Sequence, residues 1–162
     1  MNILDKINKI LNNHYFNECL NKNIESESNR KFCKHDLQHF LDVARIAYIM
    51  VLEKNLNISK EIIYACALLH DIGKWKQYSE EVPHEMVSAQ IANQILKECD
   101  YSEQNIKLVV SSILNHRVHE NEDIIFNSIL YKSDKISRNC FCCNAEKLCN
   151  WSQEKKNHSI IY

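Results

Sequence analysis

Apolar residues recur along the chain at three- and four-residue intervals, interrupted by polar stretches, and that spacing predicts a succession of amphipathic helices. Ile3, Leu4, Ile7, Ile10 and Leu11 place a first helix over residues 3–20, with one apolar stripe. Residues 21–30 are polar, carrying Lys22, Glu25, Ser26, Glu27, Ser28 and Arg30, and are expected to form a loop. Asp36 suits the N-cap of a second helix over residues 37–53, where His39, Val43, Ile46 and Met50 share an inward stripe. Ser59 and Glu61 open a third helix that carries Ile62, Ile63, Cys66 and Leu69 to His70-Asp71. Residues 74–82 read as a loop whose Trp75 and Tyr78 either stack on a ligand or pin the loop to the body. Pro83 is placed in the first turn of a fourth helix, with His84, Ser88, Ile91 and Ile95 on one face. Ser102 and Glu103 start a fifth, whose Ile106, Val109, Ile113 and His116 align. Asn121 and Asp123 start a sixth, where Asn127, Leu130, Tyr131 and Asp134 share a face.

Composition agrees with helices throughout. One Gly and one Pro leave little material for tight hairpin turns, so the expected class is all-α. We expect a compact bundle of about six or seven helices in a single domain of 162 residues, with a motif-bearing core near 30–138 and a Cys-rich tail at 139–162. A net charge of −1 excludes a general polyanion binder, and no basic stripe invites nucleic acid. The charged, periodic N-terminus is unlike a secretory leader, and no stretch reaches the roughly 20 apolar residues of a membrane span. The expected location is therefore cytoplasmic, with the eight cysteines reduced or metal-bound and not disulfide-linked.

The candidate chemistry gathers at Ala67-Leu68-Leu69-His70-Asp71-Ile72-Gly73-Lys74. Neighbouring residues on a helix point about 100° apart, so His70 and Asp71 can reach one point only where the helix is ending. Gly73 is expected to end it by taking the left-handed conformation. His39 and His116 face inward, His84 begins a helix, and Asp134 lies on a buried stripe where an isolated carboxylate is costly and requires a cationic partner. Each alone is as well explained by a satisfied core residue. Together they form a nitrogen-and-oxygen donor set that suits Zn, Mn, Fe or Ni better than a purely oxygen site would.

The order His39, His70-Asp71, Asp134 resembles the HD-domain metal-dependent phosphohydrolases. His39-Phe40-Leu41-Asp42-Val43-Ala44-Arg45 is similar to their first motif helix, Ala67 to Lys74 to the defining motif, and Tyr131-Lys132-Ser133-Asp134-Lys135-Ile136 to the closing aspartate segment. The resemblance covers roughly residues 30 to 138. It implies one or two divalent ions (Fe, Mn, Ni, Zn or Mg), with His39, His70, Asp71 and Asp134 around the first. Extra histidines resemble the dinuclear branch of the symmetric dinucleoside-tetraphosphatase-like proteins, in which Asp71, His84 and His116 would take the second. In the mononuclear nucleoside-monophosphatase alternative, His84 and His116 serve as acid–base or phosphate contacts. The cyclic-dinucleotide phosphodiesterases carry a Gly-Tyr-Pro motif that Gly73 and Pro83, the only glycine and proline, cannot supply.

The implied activity is attack of metal-activated water on a phosphoester or phosphoanhydride of a nucleotide or similar small metabolite. Asp71 and Lys74 are the catalytic candidates, and Lys74, Arg117 and Arg138 are candidate phosphate contacts, each equally readable as a surface cation. A non-catalytic metal- or nucleotide-binding regulatory module is the competing class. It would be expected to lack one of the four core ligands, and all four are present. The expected assembly extends to a homodimer, and no membrane partner is expected. In the tail, Cys140-x-x-Cys143 has the bite of a metal knuckle, Cys149 adds a third thiol, and Cys33 or His35 is the candidate fourth ligand for a structural Zn or a small iron–sulfur cluster. The alternative is a set of reduced, metal-free cysteines.

Overall fold

The computed structural model describes residues 3–117 and 125–162, which contain eight α-helices and no strand. They are α1 (Ile3–Asn12), α2 (His14–Ser26), α3 (Leu37–Glu53), α4 (Lys60–Leu69), α5 (Lys74–Glu80), α6 (His84–Glu98), α7 (Glu103–Asn115) and α8 (Ile125–Ile136). The expected all-α class is observed. The start expected for the last helix, at Asn121 and Asp123, lies outside the described residues.

The centre is α4. Ile62, Ile63, Ala65, Cys66, Ala67, Leu68 and Leu69 are all buried, so this helix is apolar on nearly every side, as an enclosed helix must be. It packs on α1, α3, α6 and α7, while α8 closes against α3 and α7. Phe16, Phe40, Ile63, Leu68, Ile95, Ile113 and Leu130 are fully buried in the connected core these helices share. The outcome is that the C-terminal end of α4, carrying His70 and Asp71, is delivered to the interior.

Three expectations change. The helix expected over 3–20 is two helices, because the Asn13 side chain accepts from Phe16 N at 3.0 Å and caps a new helix. The polar run 21–30 is not a loop to its start: α2 continues to Ser26, and its polar residues include Asn23 and Glu27, both buried. Residues 74–82 are mostly helix, as α5, and Pro83 stands just before α6 as its N-cap.

Gly73 also departs from expectation. Its φ of −95° is not left-handed, so conformational freedom is not what the position demands. Space is: a Cβ there would lie 2.7 Å from Val87 Cγ1 and 2.8 Å from the Ser88 backbone nitrogen. Gly73 N donates to Ser88 Oγ at 2.9 Å, which draws the turn after Asp71 onto α6. Because one clashing atom is backbone, Gly73→Ala is expected to cost about 1–3 kcal/mol, an overpacking penalty. Urea unfolding would check this; an unchanged midpoint would contradict the close-approach account.

Candidate metal centre

His70 and His116 are the C-cap residues of α4 and α7. Each uses the same local device: its Nδ1 bonds the carbonyl three residues back, Ala67 O at 2.8 Å and Ile113 O at 2.6 Å. A carbonyl only accepts, so Nδ1 carries the proton and the Nε2 lone pair is left to point outward from the helix end. His84, opening α6, has Nδ1 2.5 Å from Gln77 Oε1 of α5, and His39 of α3 has Nδ1 3.3 Å from Ser137 Oγ. Four imidazoles on four helices are thus each gripped by Nδ1.

Their Nε2 atoms converge on two buried carboxylates. His84 Nε2 lies 2.8 Å and His116 Nε2 3.6 Å from Asp71 Oδ1, while His70 Nε2 is 3.2 Å from Asp71 Oδ2. His39 Nε2 is 3.2 Å and His70 Nε2 3.7 Å from Asp134 Oδ1. The ligand atoms of His39, His70, Asp71 and Asp134 all lie within 4.8 Å of one another, as do those of Asp71, His84 and His116. Asp71 belongs to both groups.

The fit to a cation is physical as well as compositional. His70 Nε2 and Asp71 Oδ1 are buried without a hydrogen-bond partner. Asp71 Oδ1 stays so although His84 Nε2 approaches to 2.8 Å and His116 Nε2 to 3.6 Å. Lone pairs that face a common point, not each other, suit a cation between them.

The electrostatics keep both carboxylates charged. Burial resists ionisation of Asp71, but the imidazoles of His70, His116 and His84 gathered around it hold its carboxyl well below the usual range. Burial likewise opposes the charge on Asp134, and His39 and His70 overcome it. Burial pushes His39 down to about 4 against the pull of Asp134, so its imidazole is neutral at pH 7, with Nε2 facing Asp134 Oδ1 and the Arg138 guanidinium. Burial also lowers His84.

The comparisons extend this geometry. The HD domain family pattern matches residues 36–149. The chain belongs to the HD domain family. That match omits α1 and α2 and runs past the expected core into the Cys-rich segment. HD domains are in general metal-dependent hydrolases, and the clustered His and Asp side chains are where such a domain could hold its ion. An uncharacterised protein of Clostridium beijerinckii is 46% identical over 159 residues, 98% of this chain and all of that one. A ribonuclease Y of Chloroflexus aurantiacus is 30% identical over 101 residues, 62% of this chain but 18% of that enzyme. No solved structure matches. No helix among the described residues is long and apolar enough to cross a membrane.

A cavity of about 550 Å³ opens above this HD centre, lined by Asp71, His84, His116 and Asp134 together with Lys74, Arg117 and Arg138. Lys74 is part-buried with Nζ 3.3 Å from His84 Nδ1, and burial lowers its pKa. Arg117 is exposed and 3.5 Å from Glu85. Arg138 holds the Lys34 carbonyl at 2.7 Å and lies 3.1 Å from His39 Nε2. The loop aromatics fall elsewhere. Trp75 packs beneath the Lys22 ammonium and the Tyr78 hydroxyl donates to Glu27 Oε1 at 2.6 Å, so both fasten α5 to α2; Phe32 and Trp151 are the aromatics at the cavity. Cys33, Cys140, Cys143 and Cys149 line a neighbouring cavity but, among the described residues, form no group of ligand atoms within 4.8 Å.

Sequence reasoning missed the α2 side of the HD site. Asn23 Nδ2 donates to the Asp71 carbonyl at 3.0 Å, and Asn23 Oδ1 accepts from Trp75 N at 2.8 Å. Glu27, one turn on, accepts from His35 N at 2.7 Å and pairs with His35 Nδ1 at 2.5 Å, leaving His35 Nε2 3.6 Å from Asp71 Oδ2. His35 therefore belongs to this centre and not to the thiols. A buried Asn–Glu pair at i and i+4 was the available signal, but the polar run around it masked the helix.

Burial opposes ionisation of Glu27, and His35 and Tyr78 bring its pKa down to about 2 from 4.5. A depressed acid contributes stability that is complete above its unfolded pKa and lost as pH falls toward its folded one. Glu27→Gln should therefore lose about 1.5–3 kcal/mol at pH 7. Its deficit against wild type should shrink as pH drops below 4.5. Denaturant titrations at several pH values measure this; a deficit that does not change with pH would contradict it.

Proposed function

We propose that this HD domain is a metal-dependent phosphohydrolase acting on a small phosphorylated metabolite of the nucleotide class. The observation that carries this is the shared Asp71 between two groups of inward Nε2 and carboxylate donors at the floor of a cation-rimmed cavity. In this reading His39, His70, Asp71 and Asp134 hold one ion, and Asp71, His84 and His116 hold a second. The nitrogen-rich set suits Fe, Mn, Ni or Zn better than Mg, which prefers oxygen ligands. When bound, the metal supplies Lewis acidity toward a phosphoryl oxygen and acidifies a water for attack.

The chain's own residues do the rest. Asp71 and Asp134 provide the negative charge that makes the pocket selective for a cation. Lys74 at one wall and Arg117 and Arg138 at the others meet the phosphate anion and keep its charge from repelling those carboxylates. His35, outside both donor groups and held through Nδ1 by Glu27, is placed to carry a proton at the cavity through Nε2. Phe32 and Trp151 offer flat apolar surface for a base. A cavity of about 550 Å³ accommodates a mononucleotide-sized ligand.

The ribonuclease Y likeness supports phosphoester hydrolysis as the reaction class; it spans 18% of that enzyme, and RNA is not carried over as the substrate. The test is phosphate release from mononucleotides, dinucleoside polyphosphates and p-nitrophenyl phosphates by protein loaded with Mn, Fe, Ni or Zn, with an RNA oligonucleotide in parallel. Wild type should hydrolyse a small substrate, and His70→Ala and Asp71→Ala should each lose more than about 100-fold in kcat/KM. Lys74→Ala should raise KM by about 10-fold, the loss of one charge-assisted phosphate contact. No release from any small substrate, cleavage of RNA alone, or variants as active as wild type would overturn the proposal.

A further inference from the structure

The C-terminal tail has a fold without a hydrophobic reason for it. Of residues 139–162 only Ala145 and Lys156 are buried, and Ala145 is not part of the connected core. Phe141, Leu148, Ile160 and Ile161 are exposed. Regular structure amounts to two single turns of 3-10 helix, Cys140–Cys142 and Glu146–Leu148. A structureless segment of this length is uncommon in a compact protein unless something other than an apolar core holds it. The tail nonetheless folds back on itself: Phe141 N donates to Asn157 O at 2.9 Å, and Asn157 Nδ2 reaches the carbonyls of Lys135 and Arg138 at 2.7 and 2.9 Å.

What the tail encloses is a cavity of about 250 Å³ with four thiols in its wall. Cys140, Cys143 and Cys149 come from the tail, and Cys33 from the connection that leads into α3. All are free, with no disulfide among them. The four thiols thus face one space, three from the tail and one from the segment just before α3. Cys142, in the middle of the same run, is exposed, bonds the Asn139 carbonyl and does not line the cavity.

Spacing decides which cation. Around one tetrahedral zinc, Zn–S bonds of about 2.3 Å put the sulphurs about 3.8 Å apart. Here no three of these thiols share a 4.8 Å neighbourhood, and a cavity stands between them. A four-thiol site that is too wide for one ion and roomy at its centre fits a polynuclear group held by one thiolate per coordination position.

We propose that Cys33, Cys140, Cys143 and Cys149 ligate an iron–sulfur cluster that fills this cavity and fastens the tail to the start of α3. In assembly each thiol releases its proton to solvent and its thiolate replaces one exchangeable ligand on an iron of a preassembled cluster, so neither the side chains nor the irons change oxidation state. The cluster forms a wall of the catalytic cavity, since Cys33, Cys149, Arg138 and Trp151 line both spaces.

The experiment is iron and acid-labile sulfide analysis, with visible absorption and circular dichroism, on the full chain isolated anaerobically and again after anaerobic incubation with mixed ferrous and ferric iron and sulfide. Acid-labile sulfide separates this site from the His/Asp centre, where iron would carry none. Wild type should hold iron and sulfide with a visible dichroic band. Cys140→Ser/Cys143→Ser and Cys33→Ser should lose the sulfide and the band, while Cys142→Ser and His70→Ala/Asp71→Ala should keep both. Absence of sulfide from wild type after reconstitution, zinc bound by these thiols in its place, or sulfide retained in Cys140→Ser/Cys143→Ser would overturn the proposal. The wild-type result stands even if a serine variant fails to fold.

Discussion

Two buried carboxylates, Asp71 and Asp134, are the constraint around which this protein is built. An unpaired carboxylate in an apolar interior is costly enough that it would take up a proton or destabilise the fold. Both are nonetheless held ionised, by imidazoles delivered from α3, α4, α6 and α7. The packing of those helices and the chemistry of the site are therefore one problem. Moving any helix would leave a negative charge short of a partner, and the balance that remains is set for a cation.

The imidazoles are oriented by inexpensive local means. At the ends of α4 and α7 a histidine turns its Nδ1 back on the helix's own carbonyl, which consumes one orphan acceptor of the helix terminus and aims Nε2 at the centre in the same act. At the start of α6 the orienting group comes from α5, through Gln77. Behind the motif, Asn23 ties the Asp71 carbonyl to the first turn of α5, and Gly73 lets that turn sit directly on α6. Rigidity at the His/Asp cluster thus rests on backbone contacts that reach well beyond the residues nearest the cavity.

Much of this was legible in the residue pattern, for a physical reason. Helical periodicity alone put His39, His84, His116 and Asp134 on inward faces or ends, because a side chain's phase on an amphipathic helix is set by its apolar neighbours. What the pattern concealed were polar residues buried for polar partners. Glu27 and Asn23 look like solvent-facing residues of a loop until Asp71, His35 and Tyr78 arrive from elsewhere in the chain. Gly73 was assigned to conformational freedom when its demand is space, a distinction that only the position of α6 reveals. Of the two readings open for Trp75 and Tyr78, stacking on a base or pinning their segment to the body, the structure shows the second, from a helix in place of the expected loop. Long-range partners are what a one-dimensional pattern cannot supply.

The Nε2 and carboxylate atoms form two donor groups placed to receive cations, with Asp71 common to both. The most direct measurement is anomalous diffraction from crystals grown with Mn²⁺. A peak is expected within coordination distance of His39, His70, Asp71 and Asp134, and a second about 3.5–4 Å away against His84 and His116. A well-ordered centre with no anomalous peak at saturating Mn²⁺, or manganese bound only at residues outside these groups, would contradict it.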